Sequence, residues 1–341
     1  MKKIKIFGFL ALSIFSSLLI SCDEDDDYAD TRIPKAVVSV NSKAVTAVEG
    51  SAITFTLTID KPISKDIDFK LEYVSGTGGF RDYVSSGVET TLGESGFGQG
   101  IIGHKLVFPA TATTATFTVT PVVDLFTEGT ERVKLRLLPG SNGLGVIAAD
   151  SEFIDVTIND FVSNNVGILL EWGQDTVDIH GTIFPGEYTG IDNLKHTYGL
   201  YDMDLFLEDS AGNEITGFAS ATGNPSEFNT LLSTVPNGDY FVYVDQYAAP
   251  LPNANPLLDT RPKVPFNKKM KVSLSKYGKW STVVEIPFVS GANNSLNVVK
   301  IAKAGNVYTV TNLVTNGVIA SGRGISIPKP IRDKINKRIK S

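Results

Sequence analysis

A single cysteine, Cys22, stands in a chain of 341 residues, so no disulfide can close within it. Stability must come from packed cores, with or without a bound metal. Histidines number only three, His104, His180 and His196, and no metal-ligand spacing relates them. No Gly-x-Ser-x-Gly turn offers a serine nucleophile, and nothing fixes two acids at the separation that glycoside hydrolysis requires. The chain therefore reads as non-catalytic. Basic charge is short as well: 31 Lys and Arg stand against 37 Asp and Glu, a formal net charge of −6. Phosphate backbones need a basic footprint, so nucleic acid is disfavoured as a partner. Helical periodicity is nearly absent until the C-terminal tail.

What is present begins with a leader. Lys2, Lys3 and Lys5 form a basic head, and Ile6 to Ile20 is apolar apart from Gly8, Ser13, Ser16 and Ser17, the layout of a secretory signal. That run of about 15 residues falls short of the roughly 20 a spanning helix needs. Leu19-Ile20-Ser21-Cys22 resembles the bacterial lipobox. The resemblance implies a diacylglycerol on the Cys22 sulfur, cleavage just before it and an acylated new amino terminus. Residues 1–21 are then a signal peptide and residues 22–35 a solvated acidic tether, anchored by several chains at about 0.8 kcal/mol per buried CH2. Loss of the leader lysines takes the formal charge to about −9. Five acids, Asp23 to Asp27, follow the cysteine directly. Such a run resembles the export tag of surface lipoproteins in one branch of Gram-negative bacteria, whereas under enteric-type sorting Asp23 implies retention in the inner membrane. The length of the run favours the outer membrane and its outer face.

Beyond the tether the pattern turns to alternation. Ala36 to Val40, Ser51 to Ile59, Ile67 to Tyr73, Lys105 to Phe108, Ala115 to Pro121, Arg132 to Leu138 and Phe153 to Ile158 are short runs rich in Val, Ile, Thr and Phe, separated by Gly, Pro, Asp and Ser. They predict an immunoglobulin-like β-sandwich over residues 36–161. Gly87 to Gly103 is too long for a hairpin turn and reads as an excursion loop. After the linker Phe161 to Asn165, a second series follows: Gly167 to Trp172, Thr176 to Ile183, Met203 to Leu207, Tyr240 to Asp245, Lys271 to Leu274, Ser281 to Pro287, Leu296 to Ala302, Val307 to Leu313 and Val318 to Ala320. The expected fold class is all-β, with two tandem sandwiches, the second over residues 166–327.

Acids of the first domain fall at strand ends. Glu49 lies in Val-Glu-Gly, Asp82 in Arg-Asp-Tyr, Asp124 and Glu128 in "VVDLFTEGTE", and Asp160 closes "VTIND". In motif and order, Ala36 to Asp160 resembles a Calx-beta domain. That resemblance implies that Glu49, Asp82, Asp124, Glu128 and Asp160 gather at one pole of the sandwich as calcium ligands. A hard cation takes six to eight oxygens, which loops at one pole can deliver from distant positions. Two departures point to fewer ions: Val123 replaces the first aspartate of an Asp-Asp pair, and Asn159-Asp160-Phe161 replaces a terminal run of aspartates.

In the second domain "YDMDLFLEDSAGN" and "VPNGDYFVYVDQY" resemble the β-sandwich modules of the bacterial pre-peptidase C-terminal type, over about Val166 to Tyr247. Asp202 and Asp204 share one face of a strand. They form a second calcium site if Asp178 or Asp239 joins them, or else a solvent-facing edge. Trp172, Tyr188, Tyr198, Tyr201, Tyr243, Tyr247, Tyr277 and Trp280 include candidates for a sugar-stacking platform, above all Trp172, Tyr201, Tyr247 and Trp280. Residues 328–341 form a basic tail with Ile331, Ile335 and Ile339 on one stripe, suited to anionic lipid or a partner if helical and otherwise a frayed terminus. Two functions remain open: a lipid-anchored, calcium-dependent binding or adhesion module, and a carbohydrate-binding accessory lipoprotein of a glycan-uptake system. The expected partners are the membrane, through the N-terminal lipid, and a protein or glycan ligand.

Overall fold

The structure, a computed structural model, describes residues 35–90, 102–173, 175–177 and 183–321. The leader, Cys22, the acidic run, Asp178, His180 and the basic tail lie outside the described residues.

Two β-sandwiches follow one another. In the first, a five-stranded sheet runs in the order Gly145–Ile147, Ala36–Val40, Ile53–Ile59, Thr114–Pro121, Tyr83–Ser85. Facing it is a six-stranded sheet ordered Ala44–Val48, Phe153–Asn159, Thr130–Pro139, Ile67–Gly76, Gly103–Phe108, Val88–Glu89. The chain changes sheets at residues 41–43, and each sheet has one parallel pair at an edge: Gly145–Ile147 on Ala36–Val40 in the first, and Ala44–Val48 on Phe153–Asn159 in the second. The remaining pairs of these two sheets are antiparallel. Strict alternation in Ala36–Val40 and Thr130–Pro139 turns Val38, Val133, Leu135 and Leu137 inward, where they meet Phe55, Phe69 and Phe117.

The second sandwich pairs a four-stranded sheet, Ser226–Leu231, Val166–Glu171, Asn267–Lys276, Trp280–Val289, with a six-stranded one, Glu214–Ser220, Asp202–Asp209, Gly238–Ala248, Leu296–Ala304, Val307–Asn312, Gly317–Ser321. Its separate core includes Trp172, Trp280, Tyr201, Tyr308 and Phe288. Val166–Glu171 is buried at every position. Ile168 and Leu170 face this core, and Leu169 packs instead with Leu125 and Phe126 of the first sandwich. A run that is apolar on both faces is what a strand covered from both sides requires.

Several expectations change. Val88–Glu89 pairs with the start of Gly103–Phe108, so the expected excursion loop begins and ends in strand; residues 91–101 lie outside the described ones. Thr176 to Ile183 is not one strand: Thr176–Val177 pairs back on Ile183–Phe184. Asp202–Asp209 pairs with Gly238–Ala248 along its length, and Glu214–Ser220 joins its other side from Leu205 onward, so Asp202 and Asp204 have a paired strand on one side.

Candidate metal centre

The Glu-Gly turn that ends Ala44–Val48 sets the first acid. Gly50 has φ +79°, a left-handed conformation that a residue with a Cβ adopts at a cost, and an added Cβ would stand 2.9 Å from Val123 Cγ2. Its N–H donates to the Pro121 carbonyl at 2.7 Å, while the Glu49 N–H donates to Asn159 at 3.0 Å. Glu49 is thus tied between two strand ends, one from each sheet.

The loop from Val122 to Gly129 supplies two more acids. Asp124 closes a turn on itself, its Oδ1 accepting from the Phe126 N–H at 2.6 Å. Asp160 holds the far side of the loop, accepting from the N–H groups of Glu128 at 3.3 Å and Gly129 at 3.0 Å. The result is a group of three carboxylates, Glu49, Asp124 and Glu128, whose ligand atoms all lie within 4.8 Å of one another. Glu49 and Asp124 are buried and Glu128 half-buried. Among the described residues this is the group of three or more that fits a metal ion. Three negative charges so close, two of them shielded from water, repel unless a cation intervenes. Oxygen-only donors of this kind suit a hard divalent ion such as calcium.

The other expected ligands take different places. Asp160 acts on the loop backbone as described. The Asp82 carboxylate accepts from the Gly79 N–H, and its own carbonyl accepts from the Val122 N–H at 3.1 Å, so it steadies the start of the acidic loop. An added Cβ on Gly78 would lie 3.3 Å from both Asp82 Oδ2 and Glu131 Oε2. Asp82 therefore faces Glu131, a buried acid that the sequence reading did not single out. Its signal was the Glu-x-x-Glu spacing from Glu128.

The same loop carries the contact between the sandwiches. Leu125 and Phe126, between Asp124 and Glu128, are fully buried with Leu169 and flanked by Tyr277 and Val283. A Cβ on Gly167 would stand 2.4 Å from Leu125 Cδ2 and 2.6 Å from the Tyr277 hydroxyl, so only glycine admits the leucine there. The Thr127 N–H reaches the Ser281 hydroxyl at 3.5 Å. Tyr277 responds electrically too. Burial pushes its phenol up, a hydrogen bond with Thr230 pulls it down, and the charge of Asp124 raises it again.

Residues proposed for the second domain do not assemble as expected. Asp204 is buried, so the solvent-facing reading of this face fails. Burial, then the charges of Asp202, Glu227 and Asp245, push its carboxyl up to about 6. Among the described residues these acids do not form a grouping of three ligand atoms, and Asp239 instead pairs with Lys300 at 2.7 Å; Asp178, the other expected partner, lies outside the described residues. Trp172 and Trp280 are wholly buried, and Tyr201 packs in the core against Phe266 and Phe288. The Trp172 indole N–H donates to the Tyr201 carbonyl at 2.6 Å. None of the three offers a ring to a sugar; of the four, Tyr247 is exposed.

No protein-family model matches the sequence. No curated protein matches it either. Among solved structures, the apo-form Calx CBD1 domain is 19% identical, covering 37% of this chain and 97% of its own, with a TM-score of 0.27. CBD12 from CALX1.2 is 11% identical over 75% of this chain and 82% of its own, also at 0.27. A class 5 fimbrial chaperone is 9% identical over 64% of this chain and 95% of its own, at 0.21. At such scores no ligand or residue role carries across.

Proposed function

We propose that the chain is a non-catalytic, calcium-binding envelope protein. In this reading the ion binds Glu49, Asp124 and Glu128 and steadies the second sandwich through Leu125, Phe126 and Thr127. The observation that carries the reading is the convergence of the three carboxylates on the loop that makes the domain contact. The Calx-beta-like order of motifs around Glu49, Asp82, Asp124, Glu128 and Asp160 agrees with it. An ion that binds only the folded, docked form stabilises that form, so calcium acts as a clamp on the relative pose of the sandwiches.

The proposal extends to location and role. The lipobox-like ending at Cys22 supports lipid anchoring, and the acids Asp23 to Asp27 support the surface of the outer membrane. A clamped pair of sandwiches there would bind or adhere to a protein ligand when calcium is present. The glycan-uptake reading loses its main support with the burial of Trp172, Tyr201 and Trp280.

Isothermal titration of the mature chain with calcium chloride, after chelator treatment, tests the core of the proposal. Saturable heat at one site is expected, and its absence up to millimolar calcium would sink it. Surface labelling and protease shaving of intact cells test the location.

A further inference from the structure

The second sandwich has an unusual tip at the pole away from the first. The strand Asn267–Lys276 runs from this tip toward the domain contact at Tyr277, a span of about 30 Å for 10 residues at strand rise. Two segments build the tip, residues 190–194, which join the short paired strands Glu187–Thr189 and Lys195–Thr197, and residues 249–266. They are stitched together by Ile191 N–H to Arg261 O at 2.9 Å, Asp192 N–H to Asp259 O at 3.0 Å and Lys263 N–H to Thr189 O at 2.9 Å.

Charged side chains lock the stitching from inside. Asp259 is buried and takes the Arg261 guanidinium, Nε at 3.0 Å and Nη2 at 2.7 Å. Asp192, also buried, lies 2.8 Å from Nε2 of His196. Arg261 holds the Asp259 carboxyl at about 2, so the clasp stays charged.

On this scaffold the apolar side chains point outward. Leu194, Leu251, Leu257, Leu258 and Val264 are 61% to 78% exposed. Scattered exposed leucines need no explanation, but five on one scaffolded tip do. They are aliphatic and protruding, so they offer neither a stacking plane for sugars nor a groove for a peptide. Charge decides the partner. Lys263 is exposed on the second segment, Lys195 directly after the first and Lys268 at the start of the adjoining strand Asn267–Lys276, and the Lys263 ammonium meets Asn193 at 2.5 Å rather than a carboxylate. Of the acids on these segments, Asp192 and Asp259 are turned inward on His196 and Arg261; around them Glu187 is exposed, Asp175 accepts from the Gly186 N–H and Glu285 pairs with Lys269. Apolar points set beside lysines match an anionic bilayer, whose headgroups take the cations while the acyl boundary takes the leucines.

We propose that this tip is a membrane-docking surface, in which the five aliphatic side chains enter the acyl boundary and Lys195, Lys263 and Lys268 meet anionic headgroups. The docking does not rest on the calcium site, which lies at the other pole.

The test uses the mature chain with Cys22→Ser, which removes the acyl attachment point. Co-flotation with phosphatidylglycerol-containing vesicles should recover the protein, and phosphatidylcholine vesicles should recover at least tenfold less. Leu257→Asp with Leu258→Asp should lower recovery at least tenfold with an unchanged circular dichroism spectrum, since both residues are exposed. Chelator should leave recovery unchanged, which separates this result from any failure of calcium binding. In a Leu257→Trp variant, vesicles of brominated lipid should quench and blue-shift the new emission. Equal recovery of native and Asp variants, unchanged Leu257→Trp emission, or binding to protein partners with none to vesicles overturns the proposal.

Discussion

The Oε2 atom of Glu49 accepts a hydrogen bond from the backbone N–H of Phe161 at 3.1 Å, and the Phe161 ring stands edge-on to Tyr277 of the second sandwich, centroids 5.6 Å apart. One carboxylate thereby bears on both the ion site and the linker. Glu49→Gln keeps an acceptor oxygen for Phe161 but removes the charge. Calorimetry should show calcium affinity lower by tenfold or more, with the chelated protein melting no lower than native, since one of three mutually repelling charges is gone. Glu49→Ala loses both roles and should also destabilise the chelated protein by about 1–2 kcal/mol.

The Leu125 side chain fits over Gly167 because no Cβ stands there. Gly167→Ala should loosen the domain contact by about 1–3 kcal/mol, the usual cost of overpacking. Leu125→Ala added to Gly167→Ala should recover part of that loss. A double-mutant cycle by urea unfolding reads the coupling, and strict additivity would show that the two residues do not share the contact.

Asp160 shapes the acidic loop through the amides of Glu128 and Gly129. Asp160→Ala should therefore misplace Glu128 and weaken calcium binding severalfold. Calorimetry of the variant checks this, and native affinity would mean that the loop holds its shape without the two hydrogen bonds.

Asp204 carries a pH signature independent of calcium. Its folded carboxyl titrates near 6, above the unfolded value of about 3.9. The native state therefore holds the proton more tightly. The stability this contributes is complete below about pH 4 and is lost as pH rises through 6. Asp204→Asn should remove that dependence, gaining about 1–3 kcal/mol on native between pH 4 and pH 7. Urea unfolding at both pH values measures it; parallel pH curves for native and variant would contradict the burial argument.

Alternation made most strands legible, because half-buried strands must repeat every second residue. Ala44–Val48 was missed because all five of its residues are exposed or only partly buried, and Ser226–Leu231 because "SEFNTL" is polar for a strand. The acids Glu49, Asp124 and Glu128 were legible because each sits beside a turn glycine or a strand end, where loops converge. Glu131 was not, since it opens a strand and becomes a site neighbour only across Gly78. The tryptophans misled for a related reason: composition counts aromatic rings, whereas only packing decides whether a ring faces water. The role of Leu125 and Phe126 could not be read at all, because their partners Leu169 and Tyr277 belong to another domain.

Thermal melting of the mature chain with calcium and with chelator, compared between native protein and Asp124→Asn, tests the clamp most directly. Asp124 belongs to the carboxylate group, and its charge reaches Tyr277 across the domain contact. Calcium should raise the native melting temperature by several degrees and merge the unfolding of the two sandwiches into one transition, while Asp124→Asn should show neither effect. A calcium shift of equal size in the variant, or none in the native protein, would contradict the account.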